Sequence, residues 1–381
     1  MNKSKVALVG CDSYDDARVY SAVTKGLDLI GGISNFIKPG EKIVIKPNVL
    51  FGSDPGKCVT THPSVLKAAG RLLQEAGAEV SCGDSAGFGS CESNMRRAGL
   101  KKAADELSIP LADFDEGKEI IHKTALLNKR FIIANGVLAS DGIVSLPKLK
   151  THGLMRFTGA IKNQFGCIPG INKGQFHIKM PDPYDFATML VDLNTFIRPR
   201  LYIMDGIIAM EGNGPRSGNP RKMNVLLFSS DPVALDAIAC RIIGLNPEFV
   251  PTSKQGEEAG LGTYHYDNIE IVGDGMEQFI AGDFEVVRRR PVPSSGGRVM
   301  TFLKNQTCAK PIIKQSKCTR CGTCAKVCPV EPKAIDWDPD DKVNFPQHRY
   351  DRCIRCYCCQ ELCPEGAITI KNTLLGGIIF R

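Results

Sequence analysis

The chain has 381 residues, 43% hydrophobic and 23% charged, with a formal net charge of +7. This ordinary globular composition suits two or three domains and excludes a disordered or collagen-like chain. No apolar run reaches the roughly 20 residues of a membrane helix, and the apolar tail TLLGGIIF at 373–380 is far shorter.

From the N-terminus, MNKSKVALVG runs straight into a strand-like segment without a signal-peptide pattern, so a cytoplasmic location is expected. Further on, short runs rich in Val, Ile and Leu predict strands at Lys5–Val9, Lys42–Lys46, Glu79–Cys82, Phe131–Ala134, Gly142–Leu146, Arg200–Met204 and Asn224–Phe228. Helical patterns alternate with them. HPSVLKAAGRLLQEAGAEV starts at His62 and Pro63 and stops at Gly77; PVALDAIACRIIG has Asp231 as N-cap and Gly244 as its stop. The alternation predicts an α/β fold over residues 1–285, a mostly parallel sheet with helices on both faces.

Four segments at strand ends carry candidate chemistry. VIKPNVLFG sets Lys46 and Asn48 at the carboxyl end of a strand, where open α/β sheets form their ligand crevice. The turn GDSAGFGS brings Asp84 and Ser85 to the same rim, with backbone N–H groups able to cradle an anion, or it is a plain turn. LPKLKTHGLMRFTGAIKNQFGCIPG concentrates Lys148, Lys150, His152, Arg156, Lys162 and Asn163. A helix over 154–165 would point Lys162 inward, towards a carboxylate or phosphate; a solvated basic face is the alternative. DGIIAMEGNGPRSGNPRK, holding Asp205, Glu211, Asn213 and Arg216, reads as a long functional loop. His62 and His177 remain as single histidines. No P-loop, Rossmann, zinc-protease or nucleophile-elbow signature is present.

RRRPVPSSGG at 288–297 has linker composition, so the boundary is placed at 286–307, with a short helix over Arg298–Thr307. Ten of the sixteen cysteines follow, from Cys308 to Cys363. Two runs share the spacing C-x-x-C-x-x-C-x-x-x-C-P: Cys318, Cys321, Cys324, Cys328 with Pro329, and Cys353, Cys356, Cys359, Cys363 with Pro364. In two-cluster ferredoxins the fourth cysteine of each run ligates the other cluster. The expected ligand sets are therefore Cys318, Cys321, Cys324 and Cys363 for one 4Fe-4S cluster, and Cys353, Cys356, Cys359 and Cys328 for the second. Zinc is the rival, but it favours two separated cysteine pairs per ion. Cys358, beside the ligand Cys359, reads as an idle neighbour. The tail's basic surplus offsets the charge of two such clusters, so a nucleic-acid partner is not expected.

Residues 310–372 resemble a bacterial-type ferredoxin domain, a small α+β unit within 308–381. The stretches KPNVL, THPSVLKAAGRLL, GDSAGFG, LPKLKTHGLMRFTGAIKNQFGCIPG, MDGIIAMEGNGPRSGNP and SSDPVALDA resemble a prokaryotic family known as domain of unknown function 362. That family often carries a C-terminal ferredoxin domain and has no settled activity. A second likeness, to the N-terminal domain of nickel-dependent lactate racemases, runs through the strand–turn–helix pattern at 43–77. Its cofactor-binding histidines and lysine do not align here, and none carries over.

The expected function is an iron–sulfur reductase that relays single electrons to a small anionic substrate or cofactor. Lys162, His152 and Asp84 are the candidate catalytic groups, with Lys46, Asn48, Lys148 and Asn163 as binding groups. A protein electron donor or acceptor is the expected partner. Two alternatives stay open: a non-enzymatic carrier that docks on a redox enzyme, and a cluster-containing protein that binds a metabolite or senses redox state.

Overall fold

A computed structural model of the chain describes residues 3–170, 172–293, 305–337 and 345–373. Eleven strands and ten helices make up the larger part. In chain order they are β1 (Ser4–Gly10), α1 (Asp16–Leu29), β2 (Lys42–Pro47), α2 (Pro63–Glu75), β3 (Glu79–Cys82), α3 (Cys91–Arg97), α4 (Leu100–Glu106), β4 (Gly117–Ile121), β5 (Arg130–Ala134), α5 (Asn135–Leu138) and β6 (Gly142–Leu146). Then come β7 (Lys148–His152), β8 (Arg156–Thr158), α6 (Ala160–Asn163), α7 (Asn172–Lys179), α8 (Pro183–Ile197), β9 (Leu201–Glu211), β10 (Asn219–Ser229), α9 (Pro232–Ile242), α10 (Pro251–Glu258) and β11 (Ile269–Gly273).

The main sheet runs β11-β1-β10-β9-β6-β2-β3, with β7 on β9 and β8 on β7. It is mostly parallel, as the sequence predicts. The exceptions are β10, which lies antiparallel to both β1 and β9, and β8, which lies antiparallel to β7. Side chains alternate across β1, β9 and β10: Ala7, Val9, Ile203 and Phe228 face one core, while Val6, Leu8, Met204 and Leu227 face the other. Period-two burial on both sides of these strands requires helices on both faces, and α1 and α9 supply them.

Local signals set the helix starts. His62 Nδ1 accepts from Ser64 N at 3.2 Å with Pro63 at the first turn of α2, and Asp231 accepts from Val233 N and Ala234 N at the head of α9. Three expectations need correction. The segment 154–165 is not one helix: Gly153 and a left-handed Arg156 (φ 67°) turn the chain back, so β8 pairs with β7 before the single turn of α6. DGIIAME is strand rather than loop, because β9 continues to Glu211 along β7 and β10. The strand at Phe131–Ala134 belongs to a separate hairpin with β4, away from the main sheet.

The cysteine-bearing tail adds β12 (Lys310–Ile313) paired with β15 (Ile368–Lys371), and β13 (Ile335–Asp336) paired with β14 (Gln347–His348). Four-residue helices follow each cysteine loop, Thr323–Lys326 and Cys358–Glu361. Of the helix expected over Arg298–Thr307, residues 298–304 lie outside the described residues. Among the described residues no helix is long and apolar enough to cross a membrane.

Candidate functional site

The two cysteine runs fold into matching loops. Arg320 and Arg355 occupy equivalent positions with φ of 62° and 63°, followed by Gly322 and Tyr357 at 75° and 62°. Left-handed backbone costs a non-glycine residue roughly 1–2 kcal/mol. At Tyr357 burial and a hydrogen bond from Oη to Ala309 O (2.9 Å) hold it in place. The loops are so wound that Cys318, Cys321, Cys324 and Cys363 line one hollow, while Cys328, Cys353, Cys356 and Cys359 line a second. Each hollow thus combines three cysteines of one run with the last of the other. Backbone N–H groups already face the crossed sulfurs: Ala334 N donates to Cys328 Sγ at 3.4 Å, and Ala367 N to Cys363 Sγ at 3.3 Å. Such bonds stabilise thiolates and tune a cluster's potential. Among the described residues no three His, Cys, Asp or Glu side chains converge tightly enough to share one metal ion. Each hollow supplies four cysteines, the donor set of a 4Fe-4S cluster, so the residues present fit iron–sulfur clusters.

The α/β part presents its own cluster at the carboxyl ends of β2, β3 and β7. Lys46, fully buried, pairs with Asp84 at 2.7 Å. Asp84 also accepts from Val49 N (2.8 Å), and Lys46 contacts Asn163 Oδ1 at 3.3 Å. Asn163 in turn takes the Asn48 amide at 3.1 Å and donates to Ser145 Oγ at 2.9 Å. Room for this pair depends on Gly166, where a Cβ would stand 1.9 Å from Asp84 Oδ1. Two buried carboxylate contacts from Asp236 to Ala160 N (2.6 Å) and Ile161 N (3.2 Å) anchor α6 and so fix Lys162.

Above this layer lies a cavity of about 440 Å³, bounded on one side by Asn48, Asp84, Lys150, Lys162, Asn163 and Lys173, and on the other by Cys328, Cys358 and Glu361 of the tail. Lys150 Nζ donates to Val59 O at 2.6 Å. Lys173 donates to Ser85 Oγ (2.9 Å) and Ile168 O (2.7 Å). Lys162 has neither a hydrogen bond nor an ion pair among the described residues; its ammonium lies 5.9 Å from the centre of the Phe165 ring. Burial lowers all three ammonium pKa values, Lys173 to about 7. Glu361 pairs with His152 at 2.8 Å. His152 Nδ1 accepts from Leu154 N and Met155 N, so Nε2 carries the proton toward Glu361 even when the ring is neutral, as burial (pKa about 4) makes it. Burial opposes ionisation of Glu361, but His152 and Lys162 outweigh it and bring its pKa down to about 2.

The predicted site residues therefore separate. Asn48, Asp84, Lys162 and Asn163 border the cavity, with Lys46 directly beneath. Lys148 does not join them: it pairs with Asp205 at 2.7 Å, in a knot with Tyr14 Oη that ties β7 to β9. His152 lies behind Glu361 and faces a different, larger cleft of about 810 Å³ whose walls include the connector residues Arg289 and Val292. That cleft holds none of Lys46, Lys150, Lys162 and Lys173, which gather at the smaller cavity. The expected anion cradle at GDSAGFGS is also corrected, because Gly83 N, Ser85 N and Gly87 N donate to Ile45 O, Gly166 O and Leu50 O. Sequence reasoning passed over Lys173 and Glu361. Lys173 lay in an unremarked stretch after the IPG turn, and Glu361 sat between cysteines, where only the fold gives it a partner.

The tail docks through the β9–β10 turn. Gln360 Nε2 donates to Asn213 O, Asn213 Oδ1 and Gly214 O at 2.9–3.1 Å, and Arg216 Nη1 donates to Leu362 O at 3.0 Å. The Gly-rich segment is thus the mounting for the cysteine module.

Comparison with known proteins agrees with this architecture. The family described as "Domain of unknown function (DUF362)" matches residues 43–241. The chain belongs to that family. A second family, "4Fe-4S dicluster domain", matches residues 317–367 and gives this DUF362 protein iron–sulfur clusters and the capacity for electron transfer. The chain is 36% identical over 257 residues to the "Thylakoid-associated protein sll1697" of Synechocystis sp., a match covering 67% of this chain and 79% of that protein. Among solved structures, the lactate racemase apoprotein from Thermoanaerobacterium thermosaccharolyticum is similar at 12% identity and TM-score 0.42, over 64% of this chain and 57% of that one. A structural-genomics protein from Thermotoga maritima is similar at 13% identity and TM-score 0.38, over 67% of this chain and 61% of its own. The DUF362 chain thus spans less than two thirds of the length of either solved protein.

Proposed function

We propose that this DUF362 protein is a reductase in which electrons pass from two 4Fe-4S clusters to a small anion held in the cavity between the α/β domain (1–285) and the iron–sulfur domain (308–381), joined by the connector 286–307. Cys318, Cys321, Cys324 and Cys363 are the proposed ligands of one cluster, and Cys328, Cys353, Cys356 and Cys359 of the other. The observation that carries the reading is the position of Cys328, whose residue borders both the second cysteine hollow and the lysine-lined cavity. Bound clusters supply single electrons there.

The chain's own groups do the rest. Lys150, Lys162 and Lys173 attract the anion and stabilise the further negative charge that each electron adds. Asn48 and Asn163 orient it, and Asp84 acts by holding Lys46. Lys162, without a hydrogen bond or ion pair among the described residues, is the proton source nearest to hand. His152 is a positioning residue that fixes Glu361. The reducing equivalents come from a low-potential donor protein, and the cytoplasm is the proposed compartment because thiolate-bound clusters require reducing surroundings.

The experiment is anaerobic turnover of the cluster-loaded protein, reduced chemically and offered small organic anions while cluster absorbance reports reoxidation. Lys162→Ala should lower turnover by about 100-fold or more with iron content and cluster spectra unchanged. A carrier that merely docks on another enzyme would keep its electron-transfer rate in this variant, and that result would overturn the reductase reading.

A further inference from the structure

The charges around the cavity narrow the ligand, on the footing that the reductase reading above is right. We infer that the cavity takes an organic molecule carrying two oxyanion groups on an apolar body, a dicarboxylate or its phosphate counterpart.

Two carboxylates and four ammonium groups gather in the interior, and Lys326 stands exposed at the rim. Lys46 and Asp84 cancel at 2.7 Å. Glu361, with His152 neutral, offsets one of Lys150, Lys162 and Lys173, so the fully protonated set keeps a surplus of two positive charges. Among the described residues none of those three lysines contacts a carboxylate: Lys150 and Lys173 reach only carbonyl and hydroxyl oxygens, and Lys162 reaches neither. Lys150 is buried and Lys162 and Lys173 are half-buried; ammonium groups drawn partly out of water without a counter-charge are costly, and a bound dianion lowers that cost. Burial already lowers their pKa values in the direction an absent counter-charge requires.

Polar atoms without partners point the same way. Thr158 Oγ1 and His177 Nδ1, each able to donate to an oxyanion, are buried, make no hydrogen bond among the described residues, and belong to residues bordering this cavity. Protein interiors rarely leave such atoms unsatisfied without a functional reason. The remaining wall is apolar, from Leu50, Phe88, Phe165, Ile178, Val327 and Leu362. Inorganic phosphate would leave that surface uncovered, whereas a carbon skeleton between the two charged groups would fill it.

A competing role for the lysines is to offset the charge of the neighbouring cluster, and the Lys173→Met variant below separates the two roles.

The test uses oxidised, cluster-loaded protein and calorimetric titration with benzoate, the three benzenedicarboxylates and inorganic phosphate. The tightest benzenedicarboxylate should bind about tenfold or more tighter than either benzoate or phosphate. Lys173→Met should erase that advantage while leaving cluster potentials in place. Equal affinity for benzoate and all three diacids, or tighter binding of phosphate, would overturn the inference. So would a Lys173→Met protein that shifts the cluster potential but keeps the diacid preference. Because no electron moves in this titration, it stands apart from the reductase reading. Tight diacid binding with no turnover on any anion would sink that reading alone, and turnover confined to monoanions would sink the inference alone.

Discussion

Replacing Cys318 and Cys363 together by alanine is expected to remove one cluster and spare the other. The two residues are 45 positions apart and belong to different sequence runs, yet they line the same hollow with Cys321 and Cys324. With crossed ligation the double variant loses two ligands of a single cubane, so iron falls from about eight to about four per chain, the count for one remaining cluster. With each run serving its own cluster, both sites would be damaged and iron would fall towards none. Iron analysis with low-temperature electron paramagnetic resonance of the reduced protein separates the outcomes. The pair Cys318 and Cys353 provides the opposite control: those two line different hollows, and their joint replacement should cost both clusters.

The second large effect concerns stability. Lys46→Met should destabilise the protein by about 3–5 kcal/mol, because it strands a buried carboxylate whose counter-ion has gone. Lys46 and Asp84 are each nearly inaccessible to solvent and 2.7 Å apart. Adding Asp84→Asn to Lys46→Met should recover much of the loss, since a neutral amide still accepts from Val49 N without needing a cation. Anaerobic urea denaturation of the unaltered protein and the two variants measures this. Equal stability of the single and double variants would show that the pair's charge is not what the fold relies on.

Much of this architecture was legible in the residues, for local reasons. The cysteine runs declare themselves because cluster ligation fixes spacing along a tight loop. Strands β2, β3 and β6 and helices α2 and α9 carry their own apolar runs, caps and prolines. The failures came where tertiary pairing overrules local pattern. LMRFTGAIKNQF at 154–165 has plausible helical spacing, but the turn at Gly153–Arg156 folds β8 back onto β7, which β9 holds as its own strand partner. Lys148 looked like a binding group because it follows a strand. Its buried partner Asp205 lies 57 residues further on, where no spacing rule connects the two. Glu361 and Lys173 join the cavity only because two separately folded parts meet there.

The grip of the β9–β10 turn on Gln360 has a kinetic corollary. That glutamine is flanked by Cys359 and Glu361 and gives its amide to three oxygen atoms of Asn213 and Gly214. The cubane beside it is thereby bolted in place instead of riding on a swinging arm. Tunnelling distance is then a constant of the molecule, so internal electron delivery should not slow as glycerol thickens the solvent. A rate falling in proportion to viscosity would reveal that the mounting lets go during each cycle.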